Sequence, residues 1–431
     1  MADMDLQITA EAVQDDPLLL PPEKRQWYRE AKIGLYIHWG LYSLTQDGEW
    51  TMFLNGIDVE VYAARAAEFT GENFDANELA ELAISLGARY SYFTTRHHDG
   101  FCLYDSAASD FTSVKTAAKR DFVREYLDAF RAKGLRPALY YSPMDWRFPG
   151  YFFPHMYHRS ALAMKEQGYA QVRELMGNYG EIPVLWYDGG WLAHGGLHFS
   201  MKTGWHGREP GTPGDQGQWL WEPEKLNAMV RGLQPDAMIN PRSGWQGDFD
   251  TYEAGQLYRF LDENKIQNDR PWEGCDALNE WWSHVPGIQE GRGTDHWIRT
   301  VSRVVCRGGN MMVNIGPKGD GSLDPEHTKI FHETGEWIRA NGEAVYGTQG
   351  GPFEPGEWGG ASCKGDEVFL HVLEWPEAGL VLPDVGLEFA SAEKVVDGLQ
   401  VELVQDDGCM RLVRPAGVEP VVTVVRMRKK T

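Results

Sequence analysis

Four short segments of this chain place polar or charged residues directly after runs of β-branched and aromatic residues. They are Ile37-His38-Trp39-Gly40, Arg96-His97-His98-Asp99-Gly100, Tyr140-Tyr141-Ser142 and Trp186-Tyr187-Asp188-Gly189-Gly190. Side chains just past the C-terminal ends of parallel strands converge on one mouth, so the four segments are candidates for a single site. Asp188 follows Val184-Leu-Trp-Tyr187 and precedes a glycine pair, where the backbone can turn sharply while the carboxylate stays aimed inward. Held that way it can act as a nucleophile; as an Asp it can equally cap the next helix.

Cleaving a glycosidic bond with side chains alone takes two carboxyls, one ionised and the other kept protonated. The candidate acids downstream of Asp188 in the barrel are Asp248, Asp250, Glu253, Asp262, Glu263, Glu273 and Glu280, and their spacing does not choose among them. Most acids in so negative a chain are simply solvated. His38, His97 and His98 could join Asp188 around a zinc ion. As hydrogen-bond partners of sugar hydroxyls they need no ion, and the expectation here is no metal and no cofactor.

These residues need a scaffold that points them together. From Ile33 to Asn341 short β-branched or aromatic runs alternate with amphipathic helical stretches, the pattern of βα units around a parallel sheet. Predicted strands are Ile33–Ile37, Tyr90–Thr94, Arg136–Tyr140, Val184–Tyr187, Met238–Asn240 and Met311–Asn314, with helices such as Asp75–Leu86 and Asp121–Lys133 ended by Gly87 and Gly134. A closed barrel needs two more strands, expected between Gln256 and Trp282, where Pro271, Gly274 and polar residues break the pattern. After a helix predicted over Pro325–Asn341, short alternating runs at Glu367–Leu373, Lys394–Val396, Gln400–Val404 and Val421–Met427 suggest a small antiparallel β-sandwich. The expected organisation is an α/β chain with a (β/α)8-like (TIM-type) barrel over residues 1–345 and a C-terminal antiparallel β-sandwich over residues 346–431. The glycine-rich polar stretch His194–Gln218, directly after the Asp188 strand, is expected to be an active-site loop.

Composition narrows the partners. The 431 residues carry 41 basic and 63 acidic side chains, a formal charge of -22, which opposes binding to nucleic acid. No apolar run approaches the ~20 residues of a membrane span. Five scattered cysteines form no close pair. Seventeen tryptophans offer flat faces on which sugars stack. The acidic start Met1-Ala-Asp-Met-Asp and the short Leu18–Leu20 run are unlike a signal peptide, so a cytoplasmic location is expected. Whether the chain forms a homo-oligomer is not legible in its sequence.

With these residues in hand, the chain resembles glycoside hydrolase family 29, the α-L-fucosidases. The likeness is carried by Ile33-Gly-Leu-Tyr-Ile-His-Trp-Gly40, Glu49-Trp50, Thr95-Arg-His-His-Asp-Gly-Phe101, Lys119-Arg-Asp121, Tyr140-Tyr-Ser142, Val184-Leu-Trp-Tyr-Asp-Gly189 and Gly308-Gly-Asn-Met-Met-Val-Asn-Ile-Gly-Pro317. The resemblance implies a retaining exo-α-L-fucosidase acting on terminal α-L-fucosyl residues of oligosaccharides or glycoconjugates, with Asp188 as nucleophile. It implies Glu253 as general acid/base, because Asn240-Pro-Arg-Ser-Gly244 and Gly247-Asp-Phe-Asp-Thr251 match the segments that precede that residue in the family. Pro241 and Ser243 depart from the family's usual Asp and Trp, and Glu280 and Glu273 are the next candidates. His38, Glu49, Trp50, His97, His98, Tyr140 and Arg242 are similar to residues that grip the sugar hydroxyls and orient the nucleophile, and Trp282 to the wall against its methyl group. The His194–Gln218 loop with Trp205, Trp219 and Trp221 is expected to form the leaving-group subsite. The alternatives are an exo-glycosidase accepting L-galactose and a catalytically silent fucose-binding protein.

Overall fold

The computed structural model describes residues 16–154, 156–189, 218–406 and 408–430. Its centre is an eight-stranded, wholly parallel sheet: β1 (Ile33–Ile37), β2 (Tyr90–Arg96), β3 (Arg136–Tyr141), β4 (Val184–Tyr187), β5 (Met238–Ile239), β6 (Asp250–Glu253), β7 (Trp272–Ala277) and β8 (Asn310–Ile315). The strands neighbour one another in the order β5-β4-β3-β2-β1-β8-β7-β6. Strand alternation sorts the core into two layers. Ile33, Leu35, Phe93, Leu139, Leu185 and Val313 face outward into the layer beneath the helices. Tyr36, Tyr92, Tyr140, Trp186 and Met312 face inward and fill the middle of the curled sheet with aromatic rings.

No ladder among the described residues joins the two edges, β5 and β6. Asp248 bridges them instead. Its backbone N–H donates to the Ile239 carbonyl at 2.7 Å, and its carboxylate accepts from the Ile239 N–H at 2.8 Å, the Leu20 N–H at 2.8 Å and the Arg231 guanidinium at 2.5 Å. A buried acid with four such contacts satisfies the edge backbone that a two-residue strand leaves open.

The predicted helices form where their caps indicated. Asp75 accepts from the Asn77 N–H at 2.8 Å ahead of helix Ala76–Leu86, which ends at Gly87 with φ 90°. Asp121 accepts from the Arg124 N–H at 2.9 Å ahead of helix Phe122–Ala132. Each cap is worth about 1 kcal/mol. The last helix of this layer runs Pro325–Ala340.

The region expected to hold the two missing strands holds one. β7 lies there, whereas β6 precedes Gln256, which falls in helix Ala254–Asp262. Neither strand reads as an apolar run, for identifiable reasons. β6 is only half-buried, and its Asp250 pairs with Arg270 at 2.7 Å; β7 buries Glu273 and Asp276 among polar partners.

In the tail, a five-stranded antiparallel sheet and a three-stranded one share a core that includes Phe353, Leu370, Leu382, Phe389, Met410 and Val425. The expected strands at Glu367–Leu373 and Val421–Met427 appear as Glu367–Val372 and Thr423–Lys429. Those expected at Lys394–Val396 and Gln400–Val404 are displaced, because Gly398 at φ 71° makes a turn there, and the strands are Phe389–Lys394 and Leu403–Asp406. Among the described residues no helix is long and apolar enough to cross a membrane.

Candidate active site

At the C-terminal end of the sheet the strand-end residues meet around one pocket, lined by Tyr36, His38, Trp50, His97, His98, Tyr140, Asp188, Arg242, Glu253 and Trp282. These include nine of the ten residues singled out in the sequence. The tenth, Glu49, is 2% exposed and sits behind Trp282, where Oε2 accepts from the backbone N–H groups of Trp282 and Ser283 at 3.0 Å each. Glu49 therefore shapes the loop that carries the Trp282 ring. Tyr36 is the lining residue the sequence reading missed, and strand alternation could have found it, since residues two apart in β1 share the face of His38.

Asp188 lies immediately after β4 and is followed by Gly189 at φ 78°. A Cβ on Gly189 would come within 2.6 Å of the end of the flexible Met144 side chain, which would have to shift, and the left-handed turn itself calls for glycine. The carboxylate accepts from the Tyr140 hydroxyl at 2.8 Å through Oδ2 and from Arg242 Nη1 at 3.1 Å through Oδ1. His98 Nε2 stands 3.5 Å from Oδ2, and its Nδ1 meets the Ser142 hydroxyl at 2.7 Å. Asp188 thus takes hydrogen bonds from Tyr140 and Arg242 with His98 beside it, an arrangement that orients a nucleophile.

Arg242 links Asp188 to the second carboxyl. Its Nη2 lies 3.0 Å from Glu253 Oε1 while Nη1 holds Asp188, so one guanidinium spans both acids. Its charge also lies 5.0 Å over the Trp186 ring. Glu253 ends β6, and the next residue, Ala254, turns through φ 38°, a left-handed conformation unusual for alanine. Burial pushes the Glu253 carboxyl up to about 7; Arg242 opposes this and the Asp188 charge adds to it. The two rival acids are elsewhere: Glu273 is enclosed inside the barrel and Glu280 is exposed to solvent.

His38 and His97 are arranged as neutral hydrogen-bonding groups. Asn314 donates its amide N–H to the Trp282 carbonyl at 2.6 Å, so its Oδ1 faces His38 Nδ1, also at 2.6 Å. That fixes the His38 proton on Nδ1 and leaves Nε2 as an acceptor. Burial holds the His38 imidazole down to about 4 and His97 well below its usual range. His97 stacks on Tyr140 at 5.7 Å between ring centroids, and its buried Nδ1 has no protein partner among the described residues. Trp282 covers His38 at 5.1 Å, and Trp50 meets His98 edge-on at 5.1 Å.

Ligand atoms of His97, His98 and Asp188 lie within 4.8 Å of one another, as do those of His284, Asp324 and His327. In the first group an added cation would share Asp188 with the Arg242 guanidinium. In the second, Asp324 already caps helix Pro325–Ala340 and accepts from His284 at 3.1 Å. Of the His194–Gln218 loop, residues 194–217 with Trp205 lie outside the described residues, as do the Gln218 and Trp219 side chains. Trp221 is 2% exposed in the core beneath the helices, and so does not line a leaving-group subsite.

The profile of the Alpha-L-fucosidase family matches residues 16–343. The chain belongs to the α-L-fucosidase family. A solved structure of α-L-fucosidase isoenzyme 1 from Paenibacillus thiaminolyticus is 30% identical, with a TM-score of 0.80 over 95% of this chain and 99% of its own. An α-L-fucosidase of Branchiostoma floridae is 28% identical over 82% of this chain and 80% of its own length. The α-fucosidase of Thermotoga maritima, solved with a mechanism-based inhibitor, is 26% identical, with a TM-score of 0.74 over 94% of this chain and 96% of its own. This member of the family is a glycoside hydrolase, with a (β/α)8-like domain followed by a β-sandwich.

Proposed function

We propose that this fucosidase releases terminal α-L-fucosyl residues with retention, Asp188 serving as nucleophile and Glu253 as acid and then base. Asp188 attacks the anomeric carbon as the bond to the leaving oxygen breaks, and Glu253 delivers its proton to that oxygen. Glu253 then removes a proton from water, whose oxygen attacks the same carbon and frees Asp188. The observation that carries the reading is the single Arg242 guanidinium shared by the two acids, which keeps both carboxyls on one small pocket. Retention calls for a separation of roughly 5–5.5 Å, less than inversion needs to admit a water. His38 Nε2, His97 and His98 supply hydrogen-bonding groups for sugar hydroxyls, and the Trp282 face supplies an apolar wall for the C6 methyl group.

The test is hydrolysis of aryl α-L-fucosides by the wild type, Asp188→Ala and Glu253→Ala, with and without azide. The reading expects azide to rescue Glu253→Ala by opening the β-linked fucosyl-enzyme, giving an α-fucosyl azide, whereas any rescue of Asp188→Ala is a single displacement that gives the β-azide. A β-azide from Glu253→Ala, or an α-azide from Asp188→Ala, would reverse or remove the assigned roles. Aryl α-L-galactosides run in parallel report whether the wall at Trp282 tolerates a hydroxyl.

A further inference from the structure

Below the pocket, the barrel encloses a carboxyl that the reaction does not use. Glu273, near the start of β7, is fully buried. Its Oε1 accepts from the Trp186 indole N–H at 2.7 Å. Its Oε2 accepts from the hydroxyls of Tyr92 at 3.1 Å, Tyr90 at 3.3 Å and Tyr28, the last contributed by helix Pro22–Ala31. Asn310 braces this cage by donating to the Tyr90 hydroxyl at 3.2 Å and to the Tyr28 carbonyl at 2.7 Å. Four donors from α and β elements on one acid amount to an anchor; burying a carboxyl is costly unless its partners are in place.

What the anchor holds is the floor of the site. Trp186 stacks on Tyr140, with centroids 5.6 Å apart and planes at 18°, and touches Tyr36 edge-on at 5.6 Å. The same ring lies under the Arg242 guanidinium. Tyr140 and Arg242 are the two groups hydrogen-bonded to Asp188, and Arg242 also meets Glu253. The path from Glu273 to the acids therefore runs through a single indole whose N–H is tied down and whose faces carry both orienting residues.

We infer that Glu273 is a positioning residue for glycoside cleavage: through its hydrogen bond to Trp186 it fixes the platform that aligns Tyr140 and Arg242 on Asp188 and Glu253. The inference rests on the roles proposed for those two acids. Small misplacements of reacting groups are expensive, on the order of 10²-fold in rate for about 1 Å.

The experiment compares Glu273→Met, which keeps the bulk and removes the acceptors, Glu273→Gln, which keeps an acceptor for the indole, and Trp186→Phe, which keeps a ring and removes the donor. Steady-state kinetics on an aryl α-L-fucoside, pH profiles and melting curves are recorded for each. Glu273→Met and Trp186→Phe should each lower kcat by about 10- to 100-fold with little change in KM. Their combination should lose no more than the worse single variant, and Glu273→Gln should recover most of the loss. The alkaline limb of the kcat/KM profile should rise in both, as Arg242 loosens from Glu253. A folded Glu273→Met with kcat within about twofold of wild type, or losses that multiply in the double variant, would overturn the inference. So would a lowered melting temperature with an unmoved pH profile. If Glu273→Met fails to fold, Trp186→Phe alone decides, by the same kcat and pH criteria. Asp188→Ala is run alongside: an active Asp188→Ala removes the catalytic reading itself, whereas an inactive one beside an unaffected Trp186→Phe removes only the positioning role.

Discussion

Glu253 and Glu273 stand on adjacent strands, and the register sets Glu253 beside Cys275, two residues along β7 from Glu273. Burial pushes both carboxyls up to about 7. Their surroundings differ in what a proton could reach. Glu253 is 27% exposed, opens into the pocket and has the Arg242 guanidinium as its ion-pair partner. Glu273 is sealed among three tyrosine hydroxyls and an indole N–H. A raised pKa therefore does not by itself mark a catalytic acid. Access to a leaving group, and a second carboxyl within reach of the same cation, separate the proton donor from the structural anchor.

The strongest way to break this comparison is to remove the nucleophile it presupposes. Asp188→Ala should lower kcat on an aryl α-L-fucoside by on the order of 10⁴- to 10⁶-fold, since the other groups act only with it in place. Glu253→Ala should cost about 10²- to 10⁴-fold on substrates with basic leaving groups and far less on a dinitrophenyl fucoside, which departs without a proton. A Glu273 variant should show no such leaving-group dependence, so a Brønsted plot for both glutamates tests the contrast directly.

Arg242→Met should lower kcat by roughly 10²- to 10³-fold, in the range seen when a preorganised charged or hydrogen-bonding group is lost. Because Arg242 favours the ionised form of Glu253, its removal should move the alkaline limb of kcat/KM to higher pH. In the wild type that limb should fall as pH rises through about 7, where Glu253 loses its proton.

Stability should carry the signature of Glu273. Its carboxyl holds a proton up to about 7 when folded, against 4.5 for the free group, so the folded state binds more protons within that window. The contribution is fully present below 4.5 and is lost as pH rises to about 7, by on the order of 3 kcal/mol at most. Melting curves of Glu273→Gln across that range should be flatter than those of the wild type. The smallest expected effect is at the wall of the pocket. Trp282→Ala should raise KM for an α-L-fucoside by about 2- to 10-fold, the scale of one aromatic contact, and should narrow the preference for fucose over L-galactose.

Six of the eight barrel strands were legible because β1, β2, β3, β4, β5 and β8 are buried on both faces, apart from Arg136 at the start of β3, and are dominated by apolar or aromatic residues. β6 and β7 were not, because their polar residues are satisfied by partners far away in sequence. Asp250 meets Arg270, Asp276 meets Tyr258, and Glu273 meets Trp186, 87 positions away. The site was legible to the extent that each residue sits at a strand end, and residue type there signals chemistry. Tyr36 escaped notice because a tyrosine within a strand looks like packing.

What the sequence by itself determined is therefore local: which runs extend, which residues cap or turn, and which strand ends carry carboxylates and imidazoles. Motif resemblance added the roles of the two acids and the sugar they serve. Only the tertiary structure decided that Arg242 reaches both acids, that Glu49 holds the Trp282 loop from behind, and that Glu273 lies below the pocket among tyrosines. The physical reason is that propensity and periodicity act between neighbours in the chain. The electrostatic coupling that separates one buried glutamate from another acts between groups that only folding brings within a few ångströms.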